Sequence, residues 1–229
     1  MAKLWESPIY RFKALLSKEV VIDVTSSVSP GIPPNKLIQK AIIPFFKKRK
    51  VHSVLDFGAG ALRHCFPLLD AGFEVCAVEF EEGFKRPMCQ KALQEASKHH
   101  SFSALIWPKD FIKDRRKFDA ALLFYVLQIM PVKEERNLVL KHIYRKLRSD
   151  SYVVYASRYG QISEADFQHK VTDGYYRWPD RGAHSFYREF TTEDTHQMMM
   201  DHKFTRIRSL SERGTDQIFV YVKGNATWI

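Results

Sequence analysis

The sequence predicts an α/β protein: a three-layer sheet, mostly parallel, with helices on both faces and an antiparallel C-terminal hairpin strand. Three observations carry that prediction. Apolar, strand-like runs alternate with helical patterns from residue 52 to residue 202. AALLFYVL (120–127) is apolar almost without interruption, as a strand covered on both faces must be. The closing segments FTRIRSL (204–210) and QIFVYVK (217–223) are joined through SERGTD, a composition that reverses the chain.

Taken in order, LWESPIYRFKALLSKEV (4–20) reads as helical and ends in a break at TSSVSPGIPPN (25–35), where prolines remove donors and fix φ. A helix follows over residues 35–48, with Leu37, Ala41, Ile42, Phe45 and Phe46 at helical spacing. HSVLDF (52–57) and FEVCAVEF (73–80) read as strands around a short helical turn, LRHCFPLLDAG (62–72). A helix over about 86–100 leads to the strand FSALIW (102–107). After AALLFYVL comes a helix over 132–147, with Leu138, Ile143 and Leu147 facing inward, and then the strand SYVVYAS (151–157). TTEDTHQMMMDH (191–202) reads as a helix with Thr192 as N-cap and acids in its first turn. The expected organisation is an N-terminal helical lid segment over 1–34 and a main domain over 35–229. An insertion at about 158–188 caps the main domain.

The 229 residues, 45% hydrophobic and 14% aromatic, suffice for a packed core. No apolar run reaches the length of a membrane span, and MAKLWESPIYRF lacks the apolar stretch of a signal peptide, so no membrane partner is expected. Cys65, Cys76 and Cys89 are odd in number and lack metal-ligand spacing. They read as reduced thiols of a cytoplasmic protein, with no metal site. The net charge of +10 favours polyanions or acidic metabolites as partners.

The chemistry centres on VLDFGAGALRH (54–64), a strand running into Gly58 and Gly60 and then toward a helix. Such a turn lets backbone amides approach a nucleotide-like ligand at the carboxyl end of a sheet. The third glycine of a dinucleotide fingerprint would fall at residue 63, which is arginine, and no Gly-Lys-Ser/Thr follows. Both features argue against a nicotinamide dinucleotide and against a phosphate-binding loop. Glu79 ends the next strand, where an acid accepts hydrogen bonds from ribose hydroxyls. Asp56, before the glycines, can order the loop or meet a cationic amino group. Arg63 and His64 fit equally a cavity mouth or a solvated first helical turn.

In these residues the chain resembles the class I, Rossmann-like S-adenosylmethionine-dependent methyltransferases. VLDFGAG (54–60) is similar to their first motif and AVEF (77–80) to their second. WPKDF (107–111) resembles the loop after their third strand, and LLFYVLQIMP (122–131) the segment after their fourth. The resemblance implies S-adenosyl-L-methionine as cofactor, with Gly58 and Gly60 along its methionine part and Glu79 on its ribose. It places Asp110 at the adenine amino group and Phe111 beside the ring. Asp56, Phe80 and Phe124 complete the implied cofactor set, and Tyr125 and Gln128 are the catalytic candidates.

For the acceptor, the Asp/Asn-Pro-Pro-aromatic segment of amino-methylating DNA enzymes is absent after the fourth strand, and so is a Pro-Cys nucleophile. The segment RYGQISEADFQHKVTDGYYRWPDRGAHSFYR (158–188) interleaves aromatic and basic residues, a mix that can stack rings and neutralise anions. Its candidate substrate-binding residues are Tyr159, Tyr176, Arg177, Arg181, His184 and Tyr187. The expectation is methyl transfer to an anionic acceptor, with the basic balance leaning slightly to nucleic acid. A small-molecule acceptor and a non-catalytic cofactor-binding module are the alternatives.

Overall fold

The computed structural model describes residues 7–13, 19–27, 32–163, 169–177, 184–211 and 216–224. Among the described residues the central sheet has seven strands: β3 (Ser53–Phe57), β4 (Glu74–Phe80), β5 (Phe102–Trp107), β6 (Phe118–Phe124), β7 (Leu147–Arg158), β11 (Phe204–Ser211) and β12 (Asp216–Lys223). Their order is β11-β12-β7-β6-β3-β4-β5. Strands β7, β6, β3, β4 and β5 run parallel, while β12 is antiparallel to both β7 and β11, as the sequence predicts.

Every residue of β3 is buried, because both faces of the sheet are covered. One face packs on α1 (Ile43–Lys48), the π-helical turn before it and α2 (Cys65–Asp70), through Ile38, Ile42, Phe46, Leu62 and Leu68. The other packs on α5 (Lys109–Lys113), α6 (Lys133–Lys146) and α7 (Thr192–Asp201), through Phe111, Val139, Leu140, Ile143 and Met199. Two further helices, α3 (Glu81–Phe84) and α4 (Pro87–Ala96), follow β4. The N-cap of α7 is Thr191 rather than Thr192. Thr191 Oγ1 accepts from Asp194 N at 3.0 Å and the Asp194 carboxylate accepts from Thr191 N, a reciprocal capping box.

The described part of residues 4–20 corrects the helical expectation. Ile9–Lys13 (β1) and Glu19–Asp23 (β2) form an antiparallel hairpin, with Ile9 opposite Asp23; residues 4–6 and 14–18 lie outside the described set. Val20 and Ile22 alternate to the same face of β2 and pack with Val24 against Val171 and Phe186. Those partners lie far along the chain, and their apolar contacts override the local helical pattern.

Val171 and Phe186 belong to the insertion, which holds β8 (Lys170–Val171), β9 (Gly174–Arg177) and β10 (Ser185–Tyr187) in a second antiparallel sheet ordered β10-β9-β8. The hairpin and the insertion are joined: Asp23 N donates to His184 O at 3.0 Å, and His184 N to Val21 O at 2.9 Å. Two guanidinium groups, of buried Arg136 on α6 and of Arg188, pair with Asp173 between β8 and β9. Tyr10 of β1 donates to Glu135 of α6. One roof built from two distant segments therefore stands over the sheet.

Candidate active site

The crevice lies where the sheet order reverses, with β3 pairing β4 on one side and β6 on the other. Gly58 and Gly60 take left-handed backbone (φ +73° and +52°), and Gly58 N and Ala59 N donate to Val78 O at 2.8 and 3.1 Å. A Cβ on Gly58 would stand 2.5 Å from Val126 Cγ2, so the turn is seated tightly on the segment after β6. Leu62, fully buried, also takes left-handed backbone (φ +59°) before the chain enters α2.

Glu79 ends β4 with its carboxylate buried. Its Oε2 accepts from Gly60 N at 3.0 Å and its Oε1 from Phe80 N at 2.8 Å. Burial pushes its pKa up, and the two amide hydrogen bonds oppose that shift. Each oxygen keeps a second lone pair, so the group can still receive hydroxyl donors from a ligand.

A cavity of about 1150 Å³ opens over this turn. Its floor includes Gly58, Gly60, Glu79, Phe80, Phe124, Tyr125 and Gln128, and its walls include Arg63, His64, Arg86, Trp107 and Arg158. The hairpin side supplies Asp23, Thr25 and Ser26, and the insertion supplies Arg177, Ser185, Phe186 and Tyr187. Arg86 latches the roof here: its Nη2 donates to Asp23 Oδ2 at 3.2 Å and to Thr25 Oγ1 at 2.7 Å.

Other expected residues stand elsewhere. Phe111 is fully buried in the core against Phe57 and Trp107, with ring centroids 5.6 and 5.4 Å away, and it does not line the cavity. That placement corrects its expected role beside the adenine ring. Asp110 is also outside the lining, its carboxylate 3.4 Å from Ile106 N. Asp56 lies beneath the floor, accepting from Cys65 Sγ at 3.2 Å, with burial pushing its pKa up to about 6. It braces the turn rather than facing the cavity.

Tyr125 leaves β6 in left-handed backbone (φ +62°), and its hydroxyl accepts from Asn35 Nδ2 at 3.0 Å. Burial, with Asp216 adding to it, pushes its pKa up to about 12, so the phenol is protonated near neutrality. Gln128 is buried, and its Oε1 accepts from Arg158 N at 2.8 Å, which makes it a brace between the β6 and β7 ends. Of the substrate candidates, Arg177 and Tyr187 line the cavity, with Arg177 Cζ 4.8 Å from the Tyr187 ring centroid. Tyr176 is enclosed between His169 and His184, each 5.0 Å away, and none of these three lines the cavity. Tyr159 is exposed outside the cavity, and Arg181 falls outside the described residues.

Arg63 and His64 turn out to be wall residues. His64 is buried against Phe124, with centroids 4.6 Å apart, and its Nε2 has no hydrogen-bond partner among the described residues. Burial, with Arg63 nearby, pulls its pKa down to about 3, so the imidazole is neutral. Arg86, Asp23 and Thr25 carry no local signal in the sequence, because only the contact between Arg86 and the folded hairpin brings them together at the site. Arg158 carried a signal in the aromatic–basic mix of the insertion.

A left-handed glycine turn with a buried acid at the next strand end fits a ribose-bearing ligand such as S-adenosylmethionine.

No protein-family model matches the sequence, and no curated protein matches it. Solved structures do match the fold. The Burkholderia thailandensis 1,6-didemethyltoxoflavin-N1-methyltransferase, with bound 1,6-didemethyltoxoflavin and S-adenosylhomocysteine, aligns at TM-score 0.62 and 19% identity, over 84% of this chain and 80% of that one. A methyltransferase of Methanosarcina mazei described as S-adenosylmethionine-dependent aligns at TM-score 0.63 and 15% identity, over 84% and 99%. The magnesium protoporphyrin IX methyltransferase of Synechocystis PCC 6803, with bound S-adenosylhomocysteine, aligns at TM-score 0.57 and 14% identity, over 82% and 83%. The fold of this chain is that of the class I, Rossmann-like methyltransferases.

Proposed function

We propose that this chain is an S-adenosylmethionine-dependent methyltransferase whose acceptor is a small molecule held beneath the hairpin and the insertion. The observation that carries this reading is one cavity running from Glu79 at the end of β4 to Arg177 and Tyr187 of the roof. At about 1150 Å³ it exceeds the roughly 300–1,000 Å³ of a pocket for one small ligand, leaving space for cofactor and acceptor side by side. Two of the structural neighbours, the didemethyltoxoflavin and magnesium protoporphyrin IX enzymes, are described as acting on small molecules.

The bound cofactor supplies an electrophilic methyl group on a sulfonium. The protein's part is alignment and exclusion of water. Glu79 and the Gly58–Gly60 turn fix the cofactor end, and Phe124, Val126 and Tyr187 wall the transfer region. Neutral His64, with its pKa near 3, and protonated Tyr125, with its pKa near 12, are poorly matched to base catalysis at neutral pH. The arrangement therefore suits a nucleophile that needs little help in losing a proton.

The nucleic-acid lean loses support. Several aromatic and basic residues of the insertion pack within the roof: Tyr176 between two imidazoles, Arg188 on Asp173 and over Phe190, and Arg177 over Tyr187.

The test is transfer of tritiated methyl from S-adenosylmethionine into separate pools of metabolites, RNA, DNA and protein. Label in the metabolite pool is expected. Label confined to RNA or DNA would restore the nucleic-acid reading, and cofactor binding with no transfer to any pool would favour a non-catalytic module.

A further inference from the structure

Three segments converge on one ring in the cavity wall. Tyr125 follows β6, Arg63 belongs to the turn after β3, and Arg158 ends β7. The Cζ atoms of Arg63 and Arg158 stand 5.8 and 5.0 Å from the Tyr125 ring centroid. Tyr125 holds left-handed backbone, which an aromatic residue adopts only at a cost, secured by its N–H to Ala156 O at 2.8 Å.

The charges around this ring do not balance. Arg158 Nε lies 3.5 Å from Asp216 Oδ1, and Asn35 Nδ2 lies 3.5 Å from Asp216 Oδ2. Arg63 makes no ion pair among the described residues. Asp56, the other carboxylate acting on it, is committed to the Cys65 thiol beneath the floor. Two guanidinium groups thus share one carboxylate in a partly desolvated wall, and burial pulls the Arg63 pKa down. The remaining acids of the lining are engaged as well, Asp23 by Arg86 and Glu79 by backbone amides. A half-buried cation with no ion-pair partner in direct contact among the described residues is costly, and an anion beside it gains charge-assisted hydrogen bonds.

Resting on the methyl-transfer reading, we propose that Arg63, Arg158 and Tyr125 form the seat of an anionic oxygen group, a carboxylate or a phosphate, carried by the acceptor. The sheet order separates this seat from the cofactor's ribose end. Glu79 lies on β4, on one side of the β3 turn, whereas Tyr125 and Arg158 lie at the ends of β6 and β7, on the other. A guanidinium presents several donors in a planar fork, which matches either oxyanion.

The test titrates protein loaded with S-adenosylhomocysteine with 3-hydroxybenzoate, phenyl phosphate and the neutral 3-hydroxybenzyl alcohol, by calorimetry. At least one of the two anions is expected to bind tenfold or more tightly than the alcohol, and their ratio identifies the oxyanion. Arg63→Gln and Arg158→Gln should each erase that preference while changing S-adenosylhomocysteine affinity less than twofold; either variant suffices if the other fails to fold. Equal binding of anions and alcohol by the unsubstituted protein, or no binding of either anion, would overturn the proposal. So would a tenfold loss of S-adenosylhomocysteine affinity in Arg63→Gln that spares its decarboxylated analogue, because Arg63 would then serve the cofactor's own carboxylate. Failure of S-adenosylhomocysteine to bind at all would instead remove the cofactor reading, and the anion preference would be measured on the unloaded protein.

Discussion

Gly58 and Val126 close the cavity floor against each other: a Cβ on Gly58 would lie 2.5 Å from Val126 Cγ2 and 3.2 Å from its Cγ1. Val126 is itself buried, so it has little room to yield. Gly58→Ala therefore adds overpacking to the strain of a left-handed alanine, an expected destabilisation of about 2–4 kcal/mol. Thermal unfolding checks this, and adding Val126→Ala should relieve the steric part while leaving about 1–2 kcal/mol of backbone strain. A Gly58→Ala protein as stable as the parent would mean that the turn is not seated as described.

The Arg86 latch predicts a local effect. Its guanidinium holds Asp23 and Thr25, with the ion pair about one quarter exposed on each side (27% and 23%). Arg86→Met should loosen the hairpin by roughly 1–2 kcal/mol, the range for hydrogen bonds to a charged group after allowance for solvent. Limited proteolysis followed by mass spectrometry should show faster cutting within residues 9–27, with little change within the central sheet. Unchanged cutting in that region would remove Arg86 as the latch.

Glu135 predicts a pH dependence of the roof. Burial pushes its carboxyl from the usual 4.5 up to about 7, where it accepts from the Tyr10 hydroxyl. The folded chain thus retains a proton that the unfolded chain releases above pH 4.5. The stabilisation is complete below that value, declines as pH rises, and is lost above about 7. Glu135→Gln keeps a hydrogen-bond acceptor without the titration. The stability of the parent relative to this variant should fall between pH 5 and pH 8 in chemical denaturation, and a constant difference would contradict the assignment.

Much of the sheet is legible in the sequence because its signals are local. Continuous apolar runs mark β3, β4 and β6, and the glycine turn with Glu79 one strand later marks the crevice. The N-terminal hairpin is illegible for the opposite reason. Its inward residues Val20 and Ile22 find their partners at Val171 and Phe186, and a strand pairing of that range leaves no trace in a local window. Tyr125 illustrates the same limit, since its strand-like sequence hides a left-handed turn held by Ala156 of a neighbouring strand. Phe111 was placed by resemblance alone, and core packing with Phe57 and Trp107 decides its position instead. The charge on Arg63 is plain in the sequence, but that it makes no ion pair among the described residues is visible only in three dimensions.

The central claim, that the turn and Glu79 form a cofactor cradle, is tested most directly by calorimetric titration of S-adenosylhomocysteine into the parent protein and Glu79→Ala. Binding at one site per chain is expected. Loss of the acceptor carboxylate should weaken it by about 1–3 kcal/mol, roughly five- to 150-fold. Absence of binding to the parent protein, or equal affinity in Glu79→Ala, would contradict it.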